Sequence, residues 1–242
     1  MLKITLDFVF PKKCLDCHAP DFWLCPQCLK KIRIDAKIIC PICNQVLKPQ
    51  HSKQHYSEKN YLDGLIVTND WSDPVFKKLI YNFKYNFISE LQQILGSFLT
   101  QGLEKLIIQN NLGNLGQFKN PILIPIPLHH LRLRWRGFNQ AKILCQLISG
   151  KFSWPTNDQI IFRHKNTKPQ MTIDNIDQRK RNAKNIFSLK TNLENNSNDL
   201  SKRTIFLVDD VCTTGSTLQG AAKCLRTRFP SCTIYGLVLA RA

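Results

Sequence analysis

The chain has 242 residues, 43% of them hydrophobic and 21% charged, which suits one large domain or a mid-sized domain with an appendage and excludes wholesale disorder. Lys and Arg outnumber Asp and Glu by 34 to 17, a net charge of +17, so phosphate, nucleic acid or an acidic lipid surface are the natural partners. No apolar run approaches the ~20 residues that span a bilayer, and residues 1–10 lack the pattern of a signal peptide. A cytoplasmic protein is expected, attached to a membrane only peripherally.

Residues 1–62 form the first expected unit. Six of the ten cysteines stand there as three C-x-x-C pairs, and so short a segment needs a metal in place of an apolar core. Cys14, Cys17, Cys25 and Cys28 give two chelating pairs a short loop apart, which suits one tetrahedral structural zinc. Redox-active dithiols are the alternative, but three of them in tandem fit metal binding better. Cys40 and Cys43 need partners, and His51-x3-His55 follows after seven intervening residues to complete a second zinc site. Failing that, the histidines are surface residues and the two cysteines pack as small apolar groups. Cys145, Cys212, Cys224 and Cys232 are single and read as core, with oxidation sensing the other possible use of Cys212.

Residues 63–242 alternate strand-like and helix-like stretches. Leu65–Thr68 reads as a strand, Pro74–Tyr85 as a helix and Ile88–Ile108 as a second, amphipathic helix. The Gly/Asn-rich stretch 110–120 reads as a loop. Ile122–Ile126 is an apolar strand, followed by a basic loop and a helix over Phe138–Ile148. Gln159–Phe162, Ile205–Val208 and Thr233–Ala240 are strands, Ser216–Phe229 is a helix, and the Asn/Ser-rich 191–202 is a loop. Apolar strands alternating with helices predict an α/β fold, a doubly wound parallel sheet preceded by the small cysteine-rich zinc module.

The most informative run is Asp209-Asp210-Val211-Cys212-Thr213-Thr214-Gly215-Ser216-Thr217. An apolar strand delivers two carboxylates at its C-terminal end, where open α/β sheets bind ligands. Gly215 then lets the backbone fold tightly at the start of a helix, so that amides and four hydroxyls converge on an anion. Neither G-x-G-x-x-G nor a P-loop is present. Carboxylates suit the vicinal hydroxyls of a ribose or a hydrated Mg2+ beside it, and the hydroxyl turn suits its 5-phosphate. The plainer reading makes the acids a turn and Ser216 an ordinary helix cap.

This run resembles the phosphoribosyl-pyrophosphate (PRPP) signature of type I phosphoribosyltransferases. The likeness implies that Asp209 and Asp210 contact the ribose hydroxyls, as catalytic groups if the chain is an enzyme. It gives the 5-phosphate, with Mg2+ accompanying PRPP, to the loop 213–217. Further stretches narrow the resemblance: Phe83-Lys84-Tyr85, Pro125-Ile-Pro127-Leu128, Arg132 with Arg134-Trp135-Arg136-Gly137-Phe138-Asn139-Gln140-Ala141, Arg163, Thr167, Gln170, Arg179-Lys-Arg181-Asn182 and Phe187. With the cysteine-rich front, the whole chain is similar to the ComF family of bacterial competence proteins. That likeness implies help with the import of single-stranded DNA, together with partners in the uptake machinery or a helicase. An active Mg2+-dependent phosphoribosyltransferase is the other reading, though no pocket for an acceptor base is recognisable.

The charge pattern agrees with an anion-binding surface. Between Lys105 and Asn157 there are seven Lys or Arg and no acid. Lys84, Arg132, Arg134, Arg136, Arg163, Arg179 and Arg181 are the candidate pyrophosphate or DNA contacts, with Arg134 and Arg136 suited to bidentate grip. A solvated basic face is the alternative for any one of them. Trp135 and Phe138 interleave with arginines, and Tyr81, Phe83, Tyr85 and Phe87 surround Lys84, as a base-stacking surface requires. Phe83 and Phe87 lie one helical turn apart, which favours burial for both.

Overall fold

A computed structural model describes residues 12–47, 60–86, 88, 90–109, 118–164, 186–190 and 200–242. In chain order they form α1 (Pro26–Leu29), β1 (Ile34–Ile39), β2 (Gly64–Asn69), α2 (Pro74–Tyr85), α3 (Leu91–Gln109), β3 (Ile122–Pro125), α4 (His130–Arg136) and α5 (Gln140–Phe152). There follow β4 (Ile161–Arg163), β5 (Phe187–Leu189), β6 (Thr204–Val208), β7 (Val211–Cys212), α6 (Ser216–Arg228) and β8 (Thr233–Arg241). The main sheet runs β1-β2-β8-β6-β3, with β7 also on β8. Every neighbour is parallel except the edge pair β1–β2.

β2 and β6 are buried along their whole length, the reason they read as unbroken apolar runs. On one face Phe206 and Val208 meet Phe76 and Phe83 of α2, Leu95 of α3 and Leu144 of α5. On the other, Leu207 and Val238 meet Leu218, Ala222 and Leu225 of α6, with Ile161 and Phe187 of the β4–β5 hairpin. Helices on both faces make the sheet doubly wound, as expected.

The front segment is tied to this body. Cys14, Cys25 and Cys28 share the core of α2 and α3, and β1 extends the main sheet. Lys12 pairs with Glu90 at 2.8 Å, Trp23 donates to the same carboxylate, and Lys78 Nζ donates to the Leu15 carbonyl at 3.2 Å.

Four elements depart from the sequence reading. The basic stretch after β3 is a helix, α4, capped by His129 Nδ1, which accepts from the Leu131 amide at 3.3 Å, and closed by Gly137 at φ 78°. It buries no residue, so it leaves no apolar period to read. β1 was hidden because it is only half-buried, and β5 because it spans three residues. The second helix begins at Leu91, three residues after its expected start. The loop readings at 110–117 and 191–199 fall outside the described residues; Leu200–Lys202 forms a 3-10 turn.

Candidate functional site

β6 ends at Val208, but its register against β8 does not. Val208 lies opposite Leu237, and Val211 opposite Ala240. Between them the acid pair keeps the ladder: the Asp209 amide donates to Leu237 O at 3.1 Å, and the Leu239 amide donates to Asp210 O at 3.0 Å. The two side chains therefore project from a backbone held by the central strand.

Their environments differ. Asp210 is 5% exposed; its carboxylate accepts from the Val211 amide at 2.6 Å and pairs with Lys84 Nζ at 2.9 Å. Asp209 is half-buried and accepts from the Asp210 amide at 2.9 Å. Burial and the neighbouring Asp210 charge raise the Asp209 carboxyl to about 7, against the pull of Lys84, the Asp210 amide and Arg163. Two acids in one low-dielectric place cannot ionise independently.

Beyond Cys212 the chain turns into α6 with Gly215 as its first boundary residue, at φ 76°. Gly215 has no side chain to cap this helix, and Thr214 Oγ1 accepts from the Ser216 amide at 3.4 Å, so the positive end of α6 faces the hydroxyl turn. Thr213 and Thr214 are exposed, and Thr214 Oγ1 donates to Ser216 Oγ at 3.0 Å. Ser216, expected in the plainer reading as the cap, is instead the first helical residue. Cys212 is 4% exposed and burial pushes its thiol up to about 11, the reverse of what an oxidation sensor needs.

Of the expected basic contacts, Lys84 is engaged with Asp210. Arg136 sits on the same side: both carboxylates of the acid pair act on its guanidinium, whose charge is disfavoured chiefly by burial. Its Nε is buried with no hydrogen-bond partner among the described residues. Arg163, on β4, lies near Asp209 and over the Phe187 ring at 5.8 Å. Arg134 is exposed and Arg132 half-buried. Arg179 and Arg181, with Thr167, Gln170 and Asn182, lie outside the described residues. Phe83 is buried as expected, while Phe87 is not among the described residues.

His129 was missed. It is 5% exposed, and burial, then His130, Arg163 and Arg132, hold its imidazole below the usual range. A neutral ring is what a cap that accepts a hydrogen bond requires. The signal available was its place two residues after Pro127, where a chain leaves an apolar strand for a helix.

The cysteines separate into one gathered set and one pair. Cys14, Cys17, Cys25 and Cys28 place their sulfurs within 4.8 Å of one another. Zinc at about 2.3 Å from four thiolates needs sulfurs about 3.8 Å apart, and Cys17 Sγ and Cys25 Sγ lie at 3.6 Å, with no disulfide. Burial raises the Cys14 thiol, but amide hydrogen bonds led by Cys25 prevail and bring it to about 6, toward the thiolate that a metal needs. The donor set fits structural zinc.

Cys40 and Cys43 repeat the turn of the first pair. His18 N donates to Cys14 O at 3.0 Å and Cys14 N to Ala19 O at 2.9 Å; Asn44 N donates to Cys40 O at 3.0 Å and Cys40 N to Gln45 O at 2.8 Å. His18 and Asn44 both adopt positive φ, 62° and 65°, and the flanking bridges Lys13–Pro20 and Ile39–Val46 are equally spaced. His51 and His55 lie outside the described residues. The acid pair offers only two carboxylates, one already on Lys84, so it is not an all-protein Mg2+ cage; the ion would come with diphosphate oxygens.

An α/β sheet with carboxylates and a hydroxyl turn at its carboxyl end is the architecture of a phosphoribosyl transferase domain. Consistent with this, residues 137–242 match the phosphoribosyl transferase domain model and residues 5–59 the double zinc ribbon domain model. The chain is 31% identical over 224 residues to competence protein F of Haemophilus influenzae, covering 90% of this chain and 92% of that one. It is 29% identical to the DNA utilization protein YhgH of Escherichia coli K12, over 89% and 91%. To competence protein ComFC of Bacillus subtilis it is 25% identical, over 92% and 86%. The chain belongs to the ComF family.

Proposed function

We propose that the chain handles single-stranded DNA entering the cytoplasm during natural transformation, and that its phosphoribosyl site holds a ribose 5-phosphate group such as that of PRPP. What carries the reading is the placement of the acid pair and the hydroxyl turn at one end of the sheet, in a chain whose relatives are named for competence and DNA utilization. Asp209 and Asp210 accept from the ribose hydroxyls. Thr213, Thr214, Ser216 and Thr217 donate to the phosphate, with the backbone of Val211 to Gly215 shaping the cradle. Arg132, Arg134, Arg136 and Arg163, joined by Arg179 and Arg181, hold a diphosphate or the DNA backbone. Mg2+ arrives with PRPP and offsets its charge.

Residues 1–62 act as a zinc module docked on the domain 63–242. Cys14, Cys17, Cys25 and Cys28 hold one zinc; Cys40, Cys43, His51 and His55 hold a second. Uptake machinery or a helicase at the inner membrane is the partner this module would meet. The attachment we propose there is peripheral; no helix among the described residues is long and apolar enough to cross a membrane.

Calorimetry of the purified protein against PRPP with Mg2+, and against a short single strand at two salt concentrations, tests the reading. PRPP binding should vanish in Asp209→Asn/Asp210→Asn. Strand binding should weaken steeply with salt, since each phosphate contact releases counterions. Normal transformation by a deletion strain would remove the uptake role, and pyrophosphate release with an added base or amine would turn the site into an enzyme.

A further inference from the structure

The helix α2 sorts its aromatic residues by face. Phe76 and Phe83 are fully buried, whereas Tyr81 and Tyr85 are 57% and 38% exposed. Tyr81 and Tyr85 stand one turn apart with ring centroids at 5.0 Å, and Trp135 of α4, 58% exposed, extends the row at 6.2 Å from Tyr85. Three neighbouring exposed rings on two elements are not a requirement of the core, which Phe83 and Phe138 already close at 5.3 Å. The guanidinium of Arg136 lies 5.7 Å from the Tyr85 ring and 5.9 Å from the Trp135 ring. Among the described residues its buried Nε has no hydrogen-bond partner.

The two helices that carry the row have charge of one sign. α2 and α4 together carry six Lys or Arg and no acid. Exposed aromatic faces beside fixed positive charge match a partner with flat π-faces on a polyanionic backbone. The rings are tilted by 41° and 55° from one another, so each presents its face at a different angle. A duplex covers its base faces by stacking, and only a strand with separable bases can meet such a row.

We propose that Tyr81, Tyr85 and Trp135 form a stacking surface for the bases of single-stranded nucleic acid, with Arg134 and Arg136 on its phosphates. This rests on the DNA-handling reading and gives it a location. Because Arg136 also feels both carboxylates of the acid pair, the strand passes beside the phosphoribosyl site.

Fluorescence anisotropy with a 20-nucleotide dT strand, an abasic strand of equal length and a duplex tests it. The full-length protein should prefer dT over the abasic strand by about tenfold or more, since each stacked base contributes ~1–3 kcal/mol. Tyr81→Ser/Tyr85→Ser/Trp135→Ser should lose that preference and keep the abasic affinity. Trp135→Phe should retain binding but lose the quenching of tryptophan emission by dT, which guards against an unfolded triple variant. If the wild type binds dT and either the triple variant binds it equally well or the quenching survives Trp135→Phe, the row is not the site, while the DNA-handling reading stands. Equal affinity for dT and abasic strands would also overturn the proposal, assigning binding to phosphates alone. Preference for the duplex would do the same. Absence of any strand binding at low salt would remove both readings, and an acidic protein segment would become the occupant to examine.

Discussion

Lys84 Nζ reaches Asp210 Oδ1 at 2.9 Å, joining α2 to the stretch between β6 and β7, and their side chains are only 20% and 7% exposed. The pair explains why α2 carries a lysine on a face that otherwise buries Phe76, Leu79, Ile80 and Phe83. It also settles where α2, with the zinc module packed on it, sits relative to the phosphate turn.

Breaking such a pair from one side leaves a buried charge without compensation, at a cost of about 3 kcal/mol. Lys84→Met should therefore lower stability by about that much in urea unfolding. Lys84→Met/Asp210→Asn, which removes both charges, should recover most of it. A loss in the double variant equal to the sum of the losses in Lys84→Met and Asp210→Asn would mean the two residues do not interact in solution.

Asp209 gives the site a pH dependence of known sign. Its folded carboxyl is raised to about 7 from 3.8, so between those values the folded state holds a proton that the unfolded state has released. Stability from this group is thus greatest below about pH 4 and declines as pH rises toward 7. Asp209→Asn keeps an oxygen to accept from the Asp210 amide and removes the titration. Its melting temperature should exceed that of the wild type above pH 7, with the difference closing below about pH 4. A constant difference across that range would mean Asp209 is ionised throughout.

Much of the sheet was legible because both its faces are covered: the runs at Leu65, Ile122, Ile205 and Leu237 are apolar without alternation, and that is how buried parallel strands read. The helix bounds at Pro74 and Ser216 were legible from local chemistry. Asp73 Oδ1 accepts from the Val75 and Phe76 amides at 2.8 and 3.1 Å, and Gly215 supplies the positive φ. What was hidden depends on distant partners. α4 has no buried face to set a period, β1 is an edge strand whose role exists only against β2, and Lys84 and Asp210, far apart in the chain, meet only once it is folded. The split of the α2 aromatics into buried phenylalanines and exposed tyrosines likewise required the core to be in place.

Gly215 separates strain from packing. A Cβ there would meet only Cys212 Sγ, at 3.7 Å, so the obstacle to a side chain is the backbone angle of 76°. Gly215→Ala should cost about 1 kcal/mol and weaken phosphate binding, because relaxing the angle turns the first amides of α6 away from the anion. Gly150 is the control: it lies within α5 at an ordinary angle with nothing within 4 Å of an added Cβ. Gly150→Ala should stabilise by about 0.5–1 kcal/mol and leave phosphate affinity unchanged. Equal effects at the two positions in a titration with ribose 5-phosphate would remove the special role of the turn.

The matched turns at Cys14–Cys17 and Cys40–Cys43 lead to a stoichiometry. Both place a left-handed residue directly after the second cysteine and close the same two backbone hydrogen bonds, a geometry that turns two sulfurs toward one ion. Zinc released by mercurial titration of the purified chain should therefore come to two equivalents. Cys40→Ser should leave one equivalent and little change in the main melting transition, since Cys40 lies outside the core shared with α2 and α3. Cys28→Ser should lose the other ion and lower the melting temperature markedly, because Cys14, Cys25 and Cys28 are packed into that core. One equivalent in the wild type, unchanged by Cys40→Ser, would leave the second turn a structural repeat without a metal.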